Sequence, residues 1–351
     1  MRKSGDSHLN RFGSVMKKGH IEPTEPKVRD AGDNLVRARR GIVAHFFYWS
    51  LAHYYFLPGL YFHRYSSLLG LSLAVKRRSR MPGNLLYDLL RGGLEATHYL
   101  EFDFFWKRLR HRQNLGDYLD VSSPRIFPLV LLHKRRFESA TLLNPDSKDM
   151  SATAQLIKAA GLDRVCRTVA RGLEDVGFRD ESFDVITSVS TLQQVWRNSE
   201  TIAAIWRYLR PGGTLLISLP CATDATEQHH QQLTHATAMP PTGRPLFRQL
   251  YDSHLLDERV FKIVGPPTRF MIYGETKAGS FGRRLKRKLS DPTYPYWQEP
   301  LIMGREWRCF SSINELPGEG ITALEFTKPR KGHERETSAR VFGQQSAAFA
   351  H

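Results

Sequence analysis

The stretch from Phe183 to Pro220 constrains the fold most, because it reads as a strand, a helix, a turn and a second strand. Residues 184–189 form an apolar, β-branched run of the kind found in buried strands. Apolar residues then recur at i, i+3, i+4 and i+7 from Ile202 to Leu209, which predicts a helix with one buried face. Pro211 ends the helical pattern, and Gly212–Gly213 favours a sharp reversal into the second strand. Neighbouring strands joined by a helix run parallel, so this unit predicts a parallel α/β sheet.

Shorter segments of the same type precede and follow this unit. Those before it are strand Tyr118–Val121, helix Arg125–Arg136, strand Ala140–Leu143, a helix ending at Gly161, and strand Val165–Ala170. Those after it are helix Leu246–Leu256 and strands Phe261–Val264, Phe270–Tyr273 and Ile321–Phe326. We therefore expect an α/β fold with a doubly wound, seven-stranded, mostly parallel Rossmann-like sheet whose last strands form a hairpin. An N-terminal helical, aromatic-rich extension precedes the sheet.

The central unit resembles a known family. Phe-Asp-Val-Ile at 183–186, an amphipathic helix, and Leu-Arg-Pro-Gly-Gly-Thr-Leu-Leu-Ile at 209–217 are similar to the fourth and fifth strands of class I S-adenosylmethionine-dependent methyltransferases. The resemblance covers residues 183–220. It implies that the cofactor is S-adenosyl-L-methionine and that the chain transfers a methyl group to an acceptor.

The resemblance also implies where the cofactor binds, since ligands of such sheets lie beyond the carboxyl ends of the strands. It implies a close-approaching turn after the first strand and a ribose-binding acid after the second. It further implies a polar group that reads adenine after the third strand, and small or polar residues after the fourth. Carried onto this sequence, the implied cofactor-binding residues are Asp120, Ser122, Ser123, Asn144, Asp146, Leu173, Glu174, Ser188 and Ser190.

Several of these positions depart from the family pattern. Ser122–Ser123–Pro124 replaces the glycine-rich turn, and a serine Cβ narrows the approach of backbone to ligand. Asn144 replaces the ribose-binding acid, Gly172 replaces the adenine-reading acid, and Gln193–Gln194 replaces a frequent Glu-His pair. An amide in place of a carboxylate gives up a charge-assisted bond. Two functions therefore stay open: a methyltransferase, or a methyltransferase-like binding or scaffold protein that has lost the cofactor.

Charge and cysteine content bound the partners and the compartment. The chain carries a formal net charge of +16, which favours anionic partners. Nucleic acid is not preferred, because no arginine–aromatic repeat or zinc-finger spacing accompanies the basic clusters, and RNA methylation rests on charge alone. Three widely spaced cysteines indicate a reducing compartment, and the polar N-terminus lacks a signal-peptide core. We expect a cytoplasmic protein.

The chain divides into four predicted regions. They are a flexible basic arm (1–40), a helical aromatic-rich extension (41–115), the Rossmann-like methyltransferase domain (116–328) and a charged tail (329–351). Gly41–Phe62 is dense in aromatics, contains no Lys, Arg, Asp or Glu, and is flanked by basic clusters. These aromatics either pack as helices over the sheet or cover the active site, or they contact an anionic membrane peripherally.

The sequence gives no clear catalytic group. His98, Glu101, Asp103 and Gln194 are the candidates nearest the predicted opening, and none forms a recognisable acid–base pattern. His229, His230 and His235 are interpreted as part of a solvated polar loop, so we predict no metal site. The expected acceptor is an unidentified small molecule, glycan or lipid-linked compound.

Overall fold

The computed structural model describes residues 58–76, 82–91, 94–195, 197–229, 246–290 and 299–330. In these ranges the strands are β1 Asp117–Val121, β2 Ser139–Leu143, β3 Cys166–Val169, β4 Phe183–Ser188, β5 Leu209–Cys221, β6 Thr226–His229, β7 Leu246–Leu250, β8 Arg269–Glu275, β9 Trp307–Phe310 and β10 Gly320–Thr327. The helices are α1 Leu60–Lys76, α2 Gly83–Arg91, α3 Ala96–Leu109, α4 Ile126–Lys134, α5 Ser147–Ala160, α6 Asn198–Tyr208, α7 Ser253–Leu256 (which continues through Asp257–Phe261 and Lys262–Val264), α8 Ser280–Ser290 and α9 Glu299–Glu306.

Eight strands form the central sheet, in the order β3-β2-β1-β4-β5-β10-β8-β9. The first five are parallel, β10 is antiparallel to both β5 and β8, and β9 is antiparallel to β8. The predicted doubly wound, mostly parallel α/β sheet is confirmed. It has eight strands where the sequence predicted seven, because the short aromatic segment Trp307–Phe310 pairs with β8 at the sheet edge.

The unit from which the fold was predicted forms as expected. The side chains of Ile202 and Ile205, on α6, are fully buried against the sheet. Gly212 adopts a left-handed φ of 80°. The Pro-Gly-Gly segment lies within the long strand β5, at a shift in its register with β4, so it acts as a bend inside a strand.

Two predicted elements are wrong. The segment Leu246–Leu250 is strand β7, paired antiparallel with β6 in a separate two-stranded sheet, and not the start of a helix. The helix begins later, at Ser253, because the side chain of Asp252 caps it by accepting from the backbone N–H of Leu255. Residues 261–264 are the end of that helical segment and not a strand.

The helices before β1 share a core with the sheet. Rings of Phe62 on α1, Phe102 on α3 and Phe127 on α4 lie with centroids 5.2–5.7 Å apart. They belong to one buried cluster that includes Tyr118 of β1 and Leu216 of β5. Clustered aromatic rings supply large buried areas, so α3 is firmly held against the sheet. The predicted N-terminal helical, aromatic-rich region is confirmed within the described residues.

Some predictions fall elsewhere in the chain. The basic arm 1–40, most of the aromatic segment 41–62, the charged tail from residue 331, His230 and His235 lie outside the described residues. Pro58 and Gly59 form a turn before α1. Within the described ranges, no helix combines the length and apolar character that crossing a bilayer demands.

Candidate active site

A cleft of about 890 Å³ runs along one edge of the sheet. Parallel strands β1, β2, β4 and β5 end at this edge, and the antiparallel strands β10 and β9 begin there. With strands about 4.8 Å apart, the edge from β2 to β9 measures about 29 Å. Residues that line it include His98, Ser122, Ser123, Arg125, Asn144, Asp146, Asp149, Ser190, Gln193, Gln194, Arg248, Phe281, Leu285 and Trp307. The cleft is therefore long enough for two ligands placed end to end.

The turn after β1 has the backbone conformation that glycine normally supplies. Ser122 has a φ of 56°, in the left-handed region that residues with a Cβ seldom adopt. Its N–H donates to the carbonyl of Leu143 at 2.7 Å, and its hydroxyl donates to the same oxygen at 3.1 Å. These two bonds to the end of β2 hold the turn in this conformation. Serine at position 122, where the family has glycine, thus preserves the sharp turn.

Asp120 supports this turn from below. Its side chain is buried, with Oδ2 accepting from the N–H of Ser123 at 3.0 Å. Oδ1 accepts from the hydroxyls of Thr187 at 2.7 Å and Tyr118 at 3.2 Å. Burial raises the pKa of Asp120 to about 6, although the Ser123 and Thr187 hydrogen bonds oppose that shift. Asp120 does not line the cleft, so the structure places it beneath the site and not within reach of a ligand.

Two further predicted serines join the tips of β1 and β4. The hydroxyl of Ser123, which lines the cleft, accepts from the N–H of Val189 at 3.0 Å. The hydroxyl of Ser188 donates to the carbonyl of Val121 at 2.9 Å and is buried away from the cleft. Both serines fix the strand tips, and Ser123 alone also faces the cleft.

The end of β2 presents a polar cluster. The side chain of Asn144 accepts from the N–H of Asp146 at 3.0 Å and donates to Asp149 at 3.2 Å. Asp146 caps α5 by accepting from the N–H groups of Lys148 and Asp149. Asp149 also pairs with Arg125 at 2.9 Å. Burial raises the pKa of Asp149, and Arg125 opposes that shift.

Leu173 and Glu174 lie away from the cleft. They belong to a single 3₁₀ turn after β3, where the Leu173 side chain is buried in the core and the Glu174 side chain is exposed. Gly172 precedes them, and the Glu174 carboxylate lies within 2.7 Å of where a Cβ at Gly172 would be. The structure does not bring these two predicted residues to the site, because the apolar leucine turns the segment into the core.

Ser190, at the tip of β4, joins the cleft to helix α3. It has a φ of 52°, and its hydroxyl donates to Glu101 Oε1 at 2.5 Å. The Ser218 hydroxyl accepts from the N–H of Ser190 at 3.0 Å and donates to the same Glu101 oxygen at 2.7 Å. Burial raises the pKa of Glu101, while His98 and the two serine hydroxyls lower it. A buried carboxyl group therefore organises this part of the site.

Of the candidate catalytic groups, three stand near the cleft and one does not. His98 lines the cleft, with Nε2 at 3.9 Å from Glu101 Oε2. Gln194 lines it as well. Asp103 lies on the far side of α3, where it accepts from the N–H of Gly59 and pairs with Lys107 at 2.7 Å.

The far half of the cleft is built by Phe281 and Trp307, for whose segments the sequence predicted no element, and by Arg248, for which it predicted a helix. Phe281 and Trp307 are buried with ring centroids 5.5 Å apart. The Arg248 guanidinium lies 5.1 Å from the Phe281 ring centre and pairs with Glu319. This half of the cleft is therefore mostly apolar and carries one arginine.

Glu275 holds this half together. Its carboxylate accepts from the N–H groups of Gly279, Phe281 and Glu319, at 2.7, 2.7 and 3.0 Å, and from the Ser280 hydroxyl at 2.8 Å. Burial opposes ionisation of this group, yet the hydrogen bonds lower its pKa. A negative charge at the N-terminus of α8 suits the helix dipole, so Glu275 anchors that helix beside the cleft.

Metal binding has no support within the part of the chain that the structure describes. No group of three or more His, Cys, Asp or Glu side chains there could hold a metal ion. The side chain of His229 is not among those described.

The residues at β1, β2 and β4 fit an adenosyl cofactor. The Ser122 turn leads into α4, and the positive end of that helix's dipole favours an anion such as the cofactor's carboxylate. Asn144 and Asp146 place amide and carboxylate oxygens at the end of β2, where ribose hydroxyls need acceptors. The fit rests on this donor and acceptor set.

Comparisons with known proteins agree with this arrangement. Residues 119–217 match the family model described as a methyltransferase domain. A glycine/sarcosine/dimethylglycine N-methyltransferase of Actinopolyspora halophila is 25% identical over 89 residues, which cover 25% of this chain and 16% of that protein. The match thus spans under a fifth of that curated relative.

Solved structures of methyltransferases resemble the chain at low identity. One, assigned as a sarcosine dimethylglycine methyltransferase of Galdieria sulphuraria, has a TM-score of 0.45 and 15% identity over 71% of this chain and 97% of its own. A geranyl diphosphate methyltransferase bound to SAM has a TM-score of 0.45 and 12% identity over 70% of this chain and 88% of its own. Similarity at this level reports no acceptor. The predicted family resemblance is confirmed: the chain has the fold of the class I S-adenosylmethionine-dependent methyltransferases, with a methyltransferase domain at residues 119–217.

Proposed function

We propose that this chain transfers a methyl group from S-adenosyl-L-methionine to a small-molecule acceptor bound in the cleft. The observation that carries the proposal is the left-handed turn at Ser122, which opens at the N-terminus of α4 and lines the cleft. The N–H groups of Ser122 and Ser123 are used inside the protein, so the turn contributes its shape, and the positive end of the α4 dipole favours the cofactor's carboxylate. When bound there, the cofactor supplies an electrophilic methyl group.

The two halves of the cleft suit two different ligands. Asn144 and Asp146 would receive the ribose hydroxyls in the half formed by β1, β2 and β4. The apolar half around Phe281 and Trp307 would receive the acceptor, which Arg248 can orient if it is anionic. A cleft of about 890 Å³ is in the range of small-molecule sites. A glycan or lipid-linked acceptor would insert only its reactive end.

The compartment is part of the proposal. Cys166, Cys221 and Cys309 are all free thiols, and free thiols persist in a reducing environment. We propose that the reaction takes place in the cytoplasm. Peripheral contact of residues 41–62 with an anionic membrane stays a prediction from the sequence.

A second function rests on a specific observation at the same site. Both polar atoms of the Asn144 side chain already bond within the protein, to Asp146 and Asp149. A ribose would have to share or displace these bonds. If it does not, the chain is a methyltransferase-like binding or scaffold protein without the cofactor.

Isothermal titration calorimetry with S-adenosylhomocysteine separates the two functions. We expect saturable binding to the wild type, and about tenfold weaker binding to Asn144→Ala, which corresponds to the loss of about one hydrogen bond. Asn314→Ala is the matched control, because Asn314 is exposed and bonds Ser253 away from the cleft. Absence of heat from the wild type at high protein concentration would rule out the methyltransferase.

A further inference from the structure

A buried carboxylate on α3 faces the cleft-lining histidine one turn earlier on the same helix. Glu101 is 1% exposed, and its two oxygens differ in their surroundings. Oε1 accepts from the hydroxyls of Ser190 and Ser218. Within the described residues, Oε2 has no hydrogen-bond partner and lies 3.9 Å from His98 Nε2.

A purely structural role explains only half of this arrangement. Bonding to Ser190 and Ser218 uses one oxygen and fixes the tip of β4. Burying a carboxylate is unfavourable unless its charge is paired, and the histidine is the basic group beside the second oxygen. The position of His98 gives the buried charge a partner with a basic ring nitrogen.

The His98 ring is held in one orientation at the cleft wall. It stacks on the Phe102 ring with centroids 5.6 Å apart and an interplanar angle of 6°. Phe102 in turn packs against Phe62 and Phe127, so the platform is rigid. The side chain of His98 is 14% exposed and lines the cleft, so a ligand in the cleft can contact it. His98 is the only histidine among the described residues that line the cleft.

We propose that His98 is the proton acceptor of the methyl-transfer reaction and that Glu101 is its positioning residue. This inference rests on the proposed function. It assigns the acceptor to a class: a neutral amine or hydroxyl compound, whose nitrogen or oxygen carries a proton that must leave. Acceptors without such a proton, such as carboxylates and tertiary amines, would gain nothing from His98.

The step balances without any further reactant. The acceptor heteroatom uses its lone pair to form a bond to the methyl carbon while the carbon–sulfur bond breaks toward sulfur. The positively charged sulfur becomes a neutral thioether, and S-adenosylhomocysteine is released. The acceptor proton moves to the neutral His98 imidazole, and the resulting imidazolium lies beside the Glu101 carboxylate.

Other charged groups line the same cleft as His98. They are Asp88, Glu95, Arg125, Asp146, Lys148, Asp149 and Arg248. Glu101 lies beside the His98 ring, with its Oε2 3.9 Å from Nε2. Ser218→Ala removes a hydroxyl that donates to Glu101 Oε1 and leaves His98 unchanged, so it tests only the structural role of Glu101.

The test uses the full chain with radiolabelled S-adenosylmethionine and two sets of acceptors. One set contains primary amines and phenols, and the matched set contains tertiary amines and carboxylates. We expect product from the first set only, with His98→Gln slowing it at least about 100-fold and Glu101→Gln slowing it about tenfold. His111→Gln is the control, because His111 is exposed outside the cleft.

Two readouts other than activity separate the possible failures. Calorimetry should give S-adenosylhomocysteine affinities within twofold for the wild type and His98→Gln. If the wild type does not bind, the proposed function fails. If it binds and His98→Gln keeps the wild-type rate, or if only the carboxylates and tertiary amines react, this inference alone is overturned.

Nuclear magnetic resonance gives the second readout, on the protein without ligand. In long-range ¹H–¹⁵N spectra, the His98 resonance is identified by its loss in His98→Gln. In the wild type and in Ser218→Ala we expect the Nε2-protonated tautomer of His98, because the Glu101 carboxylate faces Nε2. In Glu101→Gln we expect a mixture of the two tautomers. An unchanged tautomer in Glu101→Gln would overturn the positioning role.

Discussion

The buried Asp120 should make stability depend on pH in a way that one substitution removes. Burial raises the pKa of this carboxyl from 3.8 to about 6, because a charge under the Ser122 turn is poorly solvated. The folded protein therefore holds a proton on Asp120 between these values where the unfolded chain does not. Stability from this group is fully present below pH 3.8 and is lost as the pH rises through about 6.

The size of the effect follows from the two pKa values. A full difference of about two units corresponds to about 3 kcal/mol between low and high pH. Over the practical interval from pH 5 to pH 8, the loss is about 1.4 kcal/mol. Asp120→Asn cannot titrate.

Urea unfolding of the wild type and Asp120→Asn at pH 5 and pH 8 measures the pH-dependent part. The stability advantage of the wild type over the variant should be about 1.4 kcal/mol larger at pH 5 than at pH 8. Asp117→Asn, at the start of the same strand, is the control. Burial of Asp117 is outweighed by hydrogen bonds from Ser139 and Arg210, which lower its pKa, so its effect should be constant over this interval. An advantage that is equal at both pH values, or larger at pH 8, would refute the reasoning.

Three further predictions test the packing around the cleft. Ser122→Gly should be about 1 kcal/mol more stable to urea than Ser122→Ala, because both variants lose the hydroxyl but the left-handed φ strains only alanine. Equal unfolding midpoints of the two variants would contradict the left-handed turn. Glu275→Ala should destabilise the fold by about 2–3 kcal/mol and increase hydrogen exchange at the start of α8, because four donors lose their acceptor. Unchanged exchange there would show that α8 is anchored otherwise. Ile205→Ala should cost about 2–5 kcal/mol in thermal or urea unfolding, and a loss below about 1 kcal/mol would mean that α6 does not pack on the sheet.

The sequence predicted the parallel half of the sheet well, because each of its elements carries its own local pattern. The stripe of Ile202 and Ile205 needs only helical spacing to be read, and the turn at Gly161 closes α5 as a left-handed cap. The second half was harder. Leu246–Leu250 has no helical stop signal, and its strand conformation depends on pairing with β6, which no local pattern reports.

The candidate site divides in the same way. Ser122, Ser123, Asn144, Asp146 and Ser190 reach the cleft as expected, because strand ends and the residues just after them are set by chain order. The prediction for Leu173 and Glu174 rests on family position alone. The two residues lie away from the cleft because the apolar side chain of Leu173 packs into the core.

Long-range contacts account for what sequence reasoning missed. Ser190 lies 89 residues after Glu101, and Ser218 lies 117 residues after it, so no spacing rule connects them. Arg248 and Glu319 pair across 71 residues. The one available signal was chemical: an acidic side chain in the middle of the aromatic run Tyr99–Trp106 must find polar partners once that run is buried.

Helix α3 also limits how this protein can be divided or recombined. It contributes His98 to the cleft wall, with Glu101 buried beside it, and it lies before the first residue of the 119–217 methyltransferase match. A chimera that carried only that matched stretch on a foreign scaffold would contain the cleft wall formed by β1, β2 and β4 and would lack the opposite wall. Helix α3 and the segment from β7 to β10 would have to be transferred together with it for the cleft to be complete.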